Sequence, residues 1–149
     1  MTRAESIAAL EQELTVLVRR VRRVVGERAR GVHPDLPAAS YLILVAVDQD
    51  GPLRAAALVD RFDLDKGAVS RHVKHLVELG LLATAPDPDD RRATLLSVTA
   101  EATRRMKDVV AERHRLVGER LAHWSATELE EFVAELARYN SALIEPTSP

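Results

Sequence analysis

The chain has 149 residues, 46% of them hydrophobic, which suits one domain with a substantial core. Aromatic residues make up only 3%, so that core rests on Leu, Val and Ala, and a mostly helical protein is expected. With no cysteine, a disulfide framework, a thiolate metal site and a thiol redox sensor are all excluded. Arg3, Glu5, Glu11 and Glu13 punctuate the N-terminal stretch and no apolar run approaches the ~18 residues that span a bilayer, so the sequence reads as soluble and cytoplasmic with no membrane partner. The net charge of −2 does not by itself announce a nucleic-acid binder. Placement matters more than the total: residues 124–149 hold Glu128, Glu130, Glu131, Glu135 and Glu145 against Arg138 alone, which leaves the remainder with a small basic excess.

Residues 4–29 read as a long amphipathic helix, in which Ile7, Leu10, Leu14, Leu17, Val21 and Val24 recur every three or four positions. Such a stripe cannot bury itself. Arg19, Arg20, Arg22 and Arg23 cluster on its polar side, as a solvated face or as a contact to phosphate or to a partner chain. Pro34 and Pro37 mark a loop over 31–37. A second helix, about 38–49, carries Tyr41, Leu42, Leu44, Val45 and Val47 and is apolar nearly all round, hence central to the core. Asp50-Gly51-Pro52-Leu53 breaks it, and a third helix over 54–62 buries Leu58, Val59 and Phe62.

Asp63 stands where a positive φ is often needed, which Asp tolerates better than most residues. A fourth helix follows after about three residues, the spacing of a helix-turn-helix. Asp65 can cap its first turn and Gly80 can take the left-handed conformation that ends it. Val69, Val73, Leu76 and Val77 fall on one side; Gly67, Arg71, Lys74 and Glu78 fall opposite. A helix apolar behind, cationic in front and opened by a residue with no side chain is suited to approach a phosphate backbone and reach base edges beyond it.

Residues 81–85 and 93–98 read as two strands around the polar tip Pro86-Asp87-Pro88-Asp89-Asp90-Arg91-Arg92. Thr99 caps a helix over 100–122, with Met106, Val109, Val110, Leu116, Val117 and Leu121 inward. Ser125 with Glu128 forms a capping box for a last helix carrying Leu129, Phe132, Val133, Leu136 and Leu143, and Glu145 to Pro149 reads as a frayed end. The fold class expected is mostly α with a small β-hairpin, a winged helix-turn-helix in one domain over 1–149.

The runs Gly51-Pro52-Leu53, Leu64-Asp65-Lys66-Gly67-Ala68-Val69-Ser70-Arg71, Leu79-Gly80-Leu81-Leu82, and Asp90-Arg91-Arg92 followed by Leu95-Leu96-Ser97-Val98-Thr99 stand in an order and spacing that resembles the MarR family of bacterial transcription regulators. The resemblance implies a ligand-responsive homodimeric repressor on an inverted-repeat operator of double-stranded DNA. Residues 38–99 would form the DNA-binding lobe, and 1–31 and 100–145 the dimerisation helices. Two recognition helices would enter successive major grooves and two wings would touch the flanking minor grooves. Carried over by position, Lys66, Gly67, Ser70, Arg71 and Lys74 are the implied recognition-helix contacts, Arg91 and Arg92 those of the wing, with Asp90 bracing a wing guanidinium. Arg54 joins them, although it stands where the family often has a Ser or Thr cap; Asp63 replaces a common glycine, and Ala55-Ala56-Ala57 lacks the usual polar start. The family's small aromatic or phenolic effectors imply a cleft near His33, Tyr41 and arginines of the first and fifth helices, with no effector residue assigned.

Other chemistry finds little footing. His72-x-x-His75 lacks a third ligand, and His33, His114 and His123 are read as ordinary histidines. Asp87, Asp89 and Asp90 begin like a calcium loop, but the glycine and glutamate it needs are replaced by Arg92 and Val98. No G-x-S-x-G elbow, P-loop or GxGxxG is present, so neither enzyme nor cofactor is expected. The competing class is a winged-helix protein-interaction module without specific DNA binding, to which the acidic balance lends support.

Overall fold

In the computed structural model, which describes residues 1–143, six helices and three short strands follow one another. The order is α1 (Arg3–Val32), α2 (Ala38–Asp50), β1 (Leu53–Arg54), α3 (Ala55–Phe62), α4 (Lys66–Glu78), β2 (Leu82–Pro86), β3 (Thr94–Val98), α5 (Ala100–Arg120) and α6 (Ala126–Ala142). The chain divides into two compact units at Val110/Ala111, so α5 begins in one and ends in the other. The fraying expected for Glu145 to Pro149 lies outside the described residues. Among those described, no helix is long and apolar enough to cross a membrane.

Helix α2 is the centre of the first unit. Ser40, Tyr41, Ile43, Leu44, Ala46 and Val47 are all buried, whereas Leu42, expected among them, is 42% exposed on the one side the core does not reach. Around it gather Ala29 and Val32 from the end of α1, Leu58 of α3, Val69 and Leu76 of α4, Leu81 and Leu82, Leu96 of β3, and Ala102 and Met106 of α5. Arg105 fastens α5 to the end of α1, donating from Nη1 to the Val32 carbonyl at 3.2 Å. Farther back, α1 leaves Ile7, Leu10, Leu17, Val18 and Val21 exposed, as its self-insufficient stripe implied. At its start Thr2 and Glu5 close a reciprocal capping box.

The sheet is larger than a hairpin. Leu53 and Arg54, read as a breaker and the start of α3, pair antiparallel with Leu96 and Leu95, giving three strands in the order β1-β3-β2. Strand β2 pairs with β3 from Leu82↔Val98 to Pro86↔Thr94. Two residues carry no strand signal of their own; only the preformed edge of β3 makes them one.

Helix boundaries around the turn follow the anticipated chemistry. Asp63 is left-handed at φ 49° and ψ 43°, which lets the Leu64 N–H reach back to the Val59 carbonyl at 3.3 Å. Asp65 accepts from the Ala68 N–H at 2.7 Å. At the other end Gly80 has φ 73°, Leu81 N–H donates to Leu76 and Gly80 N–H to Val77, the paired closure of a Schellman motif. Thr99 then joins two elements: its hydroxyl donates to the Gly80 carbonyl at 2.8 Å and accepts from the Ala102 N–H at 3.2 Å, capping α5.

In the second unit, Ser125 and Glu128 form the expected capping box of α6. The apolar stripe of that helix stands open: Phe132, Val133 and Leu143 are exposed and α6 contributes no buried residue. Trp124 meets Phe132 edge to face at 5.7 Å between centroids.

The left-handed turn gives a test. Replacing Asp63 by Gly keeps the backbone unstrained and is expected to leave stability nearly unchanged. Asp63→Val places a β-branched side chain at positive φ and should cost about 1–2 kcal/mol in urea-unfolding free energy. Equal losses in both variants would show that the side chain of Asp63, rather than its φ, matters.

Candidate nucleic-acid interface

Helix α4 is locked to the core by its back and flank. Val69 and Leu76 are buried, Val73 is half-buried, and His72 and His75 are hydrogen-bonded outward from the helix to what lies behind it. His72 Nδ1 lies 2.8 Å from Oγ of the wholly buried Ser40, and His75 Nε2 donates to the Asp35 carbonyl at 3.0 Å. The two histidines are therefore tethers. Among the described residues no three His, Cys, Asp or Glu side chains converge on a metal-binding geometry. Val77, assigned by periodicity to the buried face, is 39% exposed. One residue beyond Leu76 turns about 100° around the helix, and the core does not extend that far.

The opposite face presents Lys66, Gly67, Ser70, Arg71 and Lys74, all exposed, so one helix brings the five together. Arg71 folds back across Gly67: a Cβ at Gly67 would lie 3.3 Å from Arg71 Nη1 and 3.1 Å from Asp65 Oδ1. Lys74 has Glu78 at 4.0 Å, a loose solvent-exposed pair, whereas Lys66 and Arg71 have no ion pair among the described residues.

The wing is built on Asp87. This carboxylate, looking on paper like one more acid of a polar tip, is 5% exposed and takes three donors. Arg54 supplies Nε at 2.6 Å and Nη2 at 2.5 Å, and the Asp89 N–H binds the other oxygen at 2.8 Å. The Asp89 N–H above all, and then the Arg54 guanidinium, hold the Asp87 carboxyl below its ordinary range against the opposing effect of burial. Arg54 is thus drawn to the wing base and made its anchor, a role the sequence did not show because Asp87 lies 33 residues away. Asp90 also acts differently from expectation: its carboxylate accepts from the backbone N–H of Arg92 at 3.0 Å, and shapes the turn without bracing a guanidinium. Arg91 and Arg92 project exposed from that turn, without an ion pair among the described residues.

Of the residues suggested for an effector cleft, Tyr41 is in the core at 3% exposure and His33 is half-buried, its Nδ1 accepting from the Asp35 N–H at 3.1 Å. His114 and His123 are exposed in the second unit.

A short helix joined by a tight turn to a cationic helix, with an anchored strand-turn-strand bearing two exposed arginines, defines a winged helix-turn-helix protein. The comparisons narrow the class: the chain belongs to the MarR family of transcriptional regulators, whose family description matches residues 35–93, and it is not an enzyme. It is 30% identical over 145 residues to the HTH-type transcriptional regulator YxaD of Bacillus subtilis, covering 97% of this chain and 100% of that protein. In structure it is similar to RV1404 of Mycobacterium tuberculosis, with a TM-score of 0.78 at 21% identity over 97% of this chain and 98% of that one. It is also similar to a MarR family regulator of Listeria monocytogenes solved in complex with a 26-mer DNA, with a TM-score of 0.65 at 17% identity over 89% and 87% of the two chains.

Because the Asp87 carboxyl is depressed in the folded protein, its stabilising contribution is present above the ordinary carboxylate range near pH 4 and is lost as pH falls through the lower, folded value. Asp87→Asn should therefore flatten the acid side of a melting-temperature profile between about pH 5 and 2. An unchanged profile would remove the carboxylate from the wing's support.

Proposed function

We propose that the protein is a cytoplasmic, homodimeric repressor that binds an inverted-repeat DNA operator and releases it when a small aromatic or phenolic ligand binds. The observation that carries this reading is the set of exposed cations without acidic partners among the described residues, Lys66 and Arg71 on α4 and Arg91 and Arg92 on the wing. Cations left unpaired where the described residues otherwise hold ten ion pairs are available for an external polyanion. The DNA-bound Listeria relative supports the same use of the fold. In this reading Lys66, Ser70, Arg71 and Lys74 enter the major groove, Gly67 admits the backbone closely, and Arg91 and Arg92 enter the narrower minor groove, where negative potential is concentrated.

Dimerisation engages the terminal helices, and two recognition helices then read half-sites one helical turn apart. The ligand acts by favouring a dimer geometry whose half-site spacing no longer matches the operator; its reach is limited by its differential affinity for the two geometries. No membrane partner is involved.

The test is selection of genomic fragments by the purified protein at several salt concentrations. Recovery of an inverted repeat, with affinity falling steeply as salt rises, is the expected result. Arg71→Ala and Arg92→Ala should each weaken operator binding roughly 5- to 150-fold with fold and dimer unchanged. No enrichment at low salt would favour the protein-interaction module instead, the reading to which the net acidic charge points.

A further inference from the structure

Helix α4 is tied to its surroundings by two imidazoles that differ in what they do with a proton. Oγ of Ser40 is wholly buried and has His72 Nδ1, 2.8 Å away, as its one hydrogen-bond partner among the described residues. A hydroxyl so placed has to donate, because if it only accepted, its own hydrogen would be left buried without an acceptor. His72 Nδ1 is therefore the acceptor, and the ring is neutral with its hydrogen on Nε2. His75 works in the opposite sense: its Nε2 donates to the Asp35 carbonyl at 3.0 Å, and that hydrogen is present on the neutral and the protonated ring alike. Acid can break the first tie and leaves the second.

Little around the first tie would compensate a charge on it. No carboxylate lies within ion-pair distance of either ring among the described residues. Of the elements packed against α4, β2 carries no ionisable side chain, and α3 carries Asp60 and Arg61, the latter held by Asp50. On α2, Tyr41 is in the core, and Asp48 and Asp50 lie about 12 and 15 Å along the helix from Ser40. On α4 itself Lys66, Arg71 and Lys74 are exposed, with Glu78 taken by Lys74. In the loop before α2, His33 Nδ1 also accepts, from the Asp35 N–H at 3.1 Å, but Asp35 is exposed and its N–H can turn to water instead. The buried Ser40 has no such recourse.

Building on the DNA-binding reading above, we propose that the Ser40–His72 bond is an acid-sensitive latch on α4: the neutral ring holds the helix in the rotation that presents its cations, and a protonated ring releases it. The unprotonated ring closes the latch, so the latch is shut above the range in which imidazoles ordinarily titrate, near pH 6.5, and opens as the pH falls through it. With His75 still held, the part that loosens is the N-terminal half of α4, which carries Lys66, Ser70 and Arg71. His72 is thus a positioning residue, acting on DNA through the helix it holds. The added charge itself attracts phosphate from any duplex, so acid should lower the preference for the operator while non-specific binding holds or rises.

Two readouts on the full-length protein separate the latch from its use, with the fold of each variant followed by circular dichroism. Amide hydrogen exchange over residues 66–74 of the free protein, corrected for the intrinsic pH dependence of exchange, should be about fivefold or more faster at pH 5.5 than at pH 7.5. Fluorescence anisotropy with the operator fragment recovered by genomic selection, beside an unrelated duplex of the same length, should show the preference falling by about fivefold or more over the same interval. His72→Asn keeps an acceptor where Nδ1 stands and cannot take up a proton there, so both pH responses should vanish. Ser40→Ala removes the donor and should behave at pH 7.5 as the wild type does at pH 5.5. His75→Gln and His33→Asn should keep the wild-type pH responses. Exchange that ignores pH in the wild type, or a response that survives in His72→Asn, would overturn the latch whether or not the protein binds DNA. A latch that opens while the operator preference stays constant would overturn its bearing on DNA. Failure to bind any duplex would overturn the DNA-binding reading itself, with hydrogen exchange still deciding the latch.

Discussion

Helix α2 holds Ile43 and Leu44 with no exposed surface and Ser40 equally enclosed, and a helix buried over most of its circumference obliges its neighbours to cover it. Each neighbour covers it by spending one apolar face, which frees the opposite face for other purposes. For α4 the covering face is Val69 and Leu76, and the freed one is Lys66, Ser70, Arg71 and Lys74. The hydrogen bonds of His72 to Ser40 and of His75 to the Asp35 carbonyl then fix the rotation of α4 about its own axis, which hydrophobic contact alone leaves loose. The direction in which the cations point is in this way set from the core outward.

The wing is positioned by a different device. Its strands seat Leu82 and Leu96 in the core, but toward the tip Ala83, Thr84, Ala85 and Thr94 are exposed and offer little apolar surface. The Arg54–Asp87 pair substitutes for that missing packing, with a buried carboxylate that also organises the turn through Asp89. Charge is thus placed twice in one small region, inward to hold the base and outward in the exposed Arg91 and Arg92.

What the sequence disclosed and what it withheld divide along the range of the interaction. The start and stop of α4, the left-handed Asp63, the Ser125 box and the burial of α2 were legible because each depends on residues within about one helical turn. Strand β1 was not, since Leu53 and Arg54 become a strand only against Leu96 and Leu95. Nor was the role of Arg54 or Asp87, whose meaning lies in each other. The cationic face of α4 could be read from periodicity, yet its margin could not: Val77 was placed inside because spacing tells which way a residue points and is silent on how far the core reaches. The terminal helices showed stripes in excess of what one chain can cover, and the exposure of Leu17, Val21 and Phe132 has the same meaning in three dimensions.

Both β1 and β2 are edge strands, since β3 lies between them. An unpaired edge invites a strand from another molecule, and the invitation grows with length and with large apolar side chains. Here β1 has two residues, and β2 offers Leu82 to the core but only Ala83, Thr84 and Ala85 along its exposed run before Pro86 removes a backbone donor. The sheet is accordingly a poor template for further strands. A protein whose terminal helices already expose apolar faces is spared a second, unspecific way of sticking to other chains.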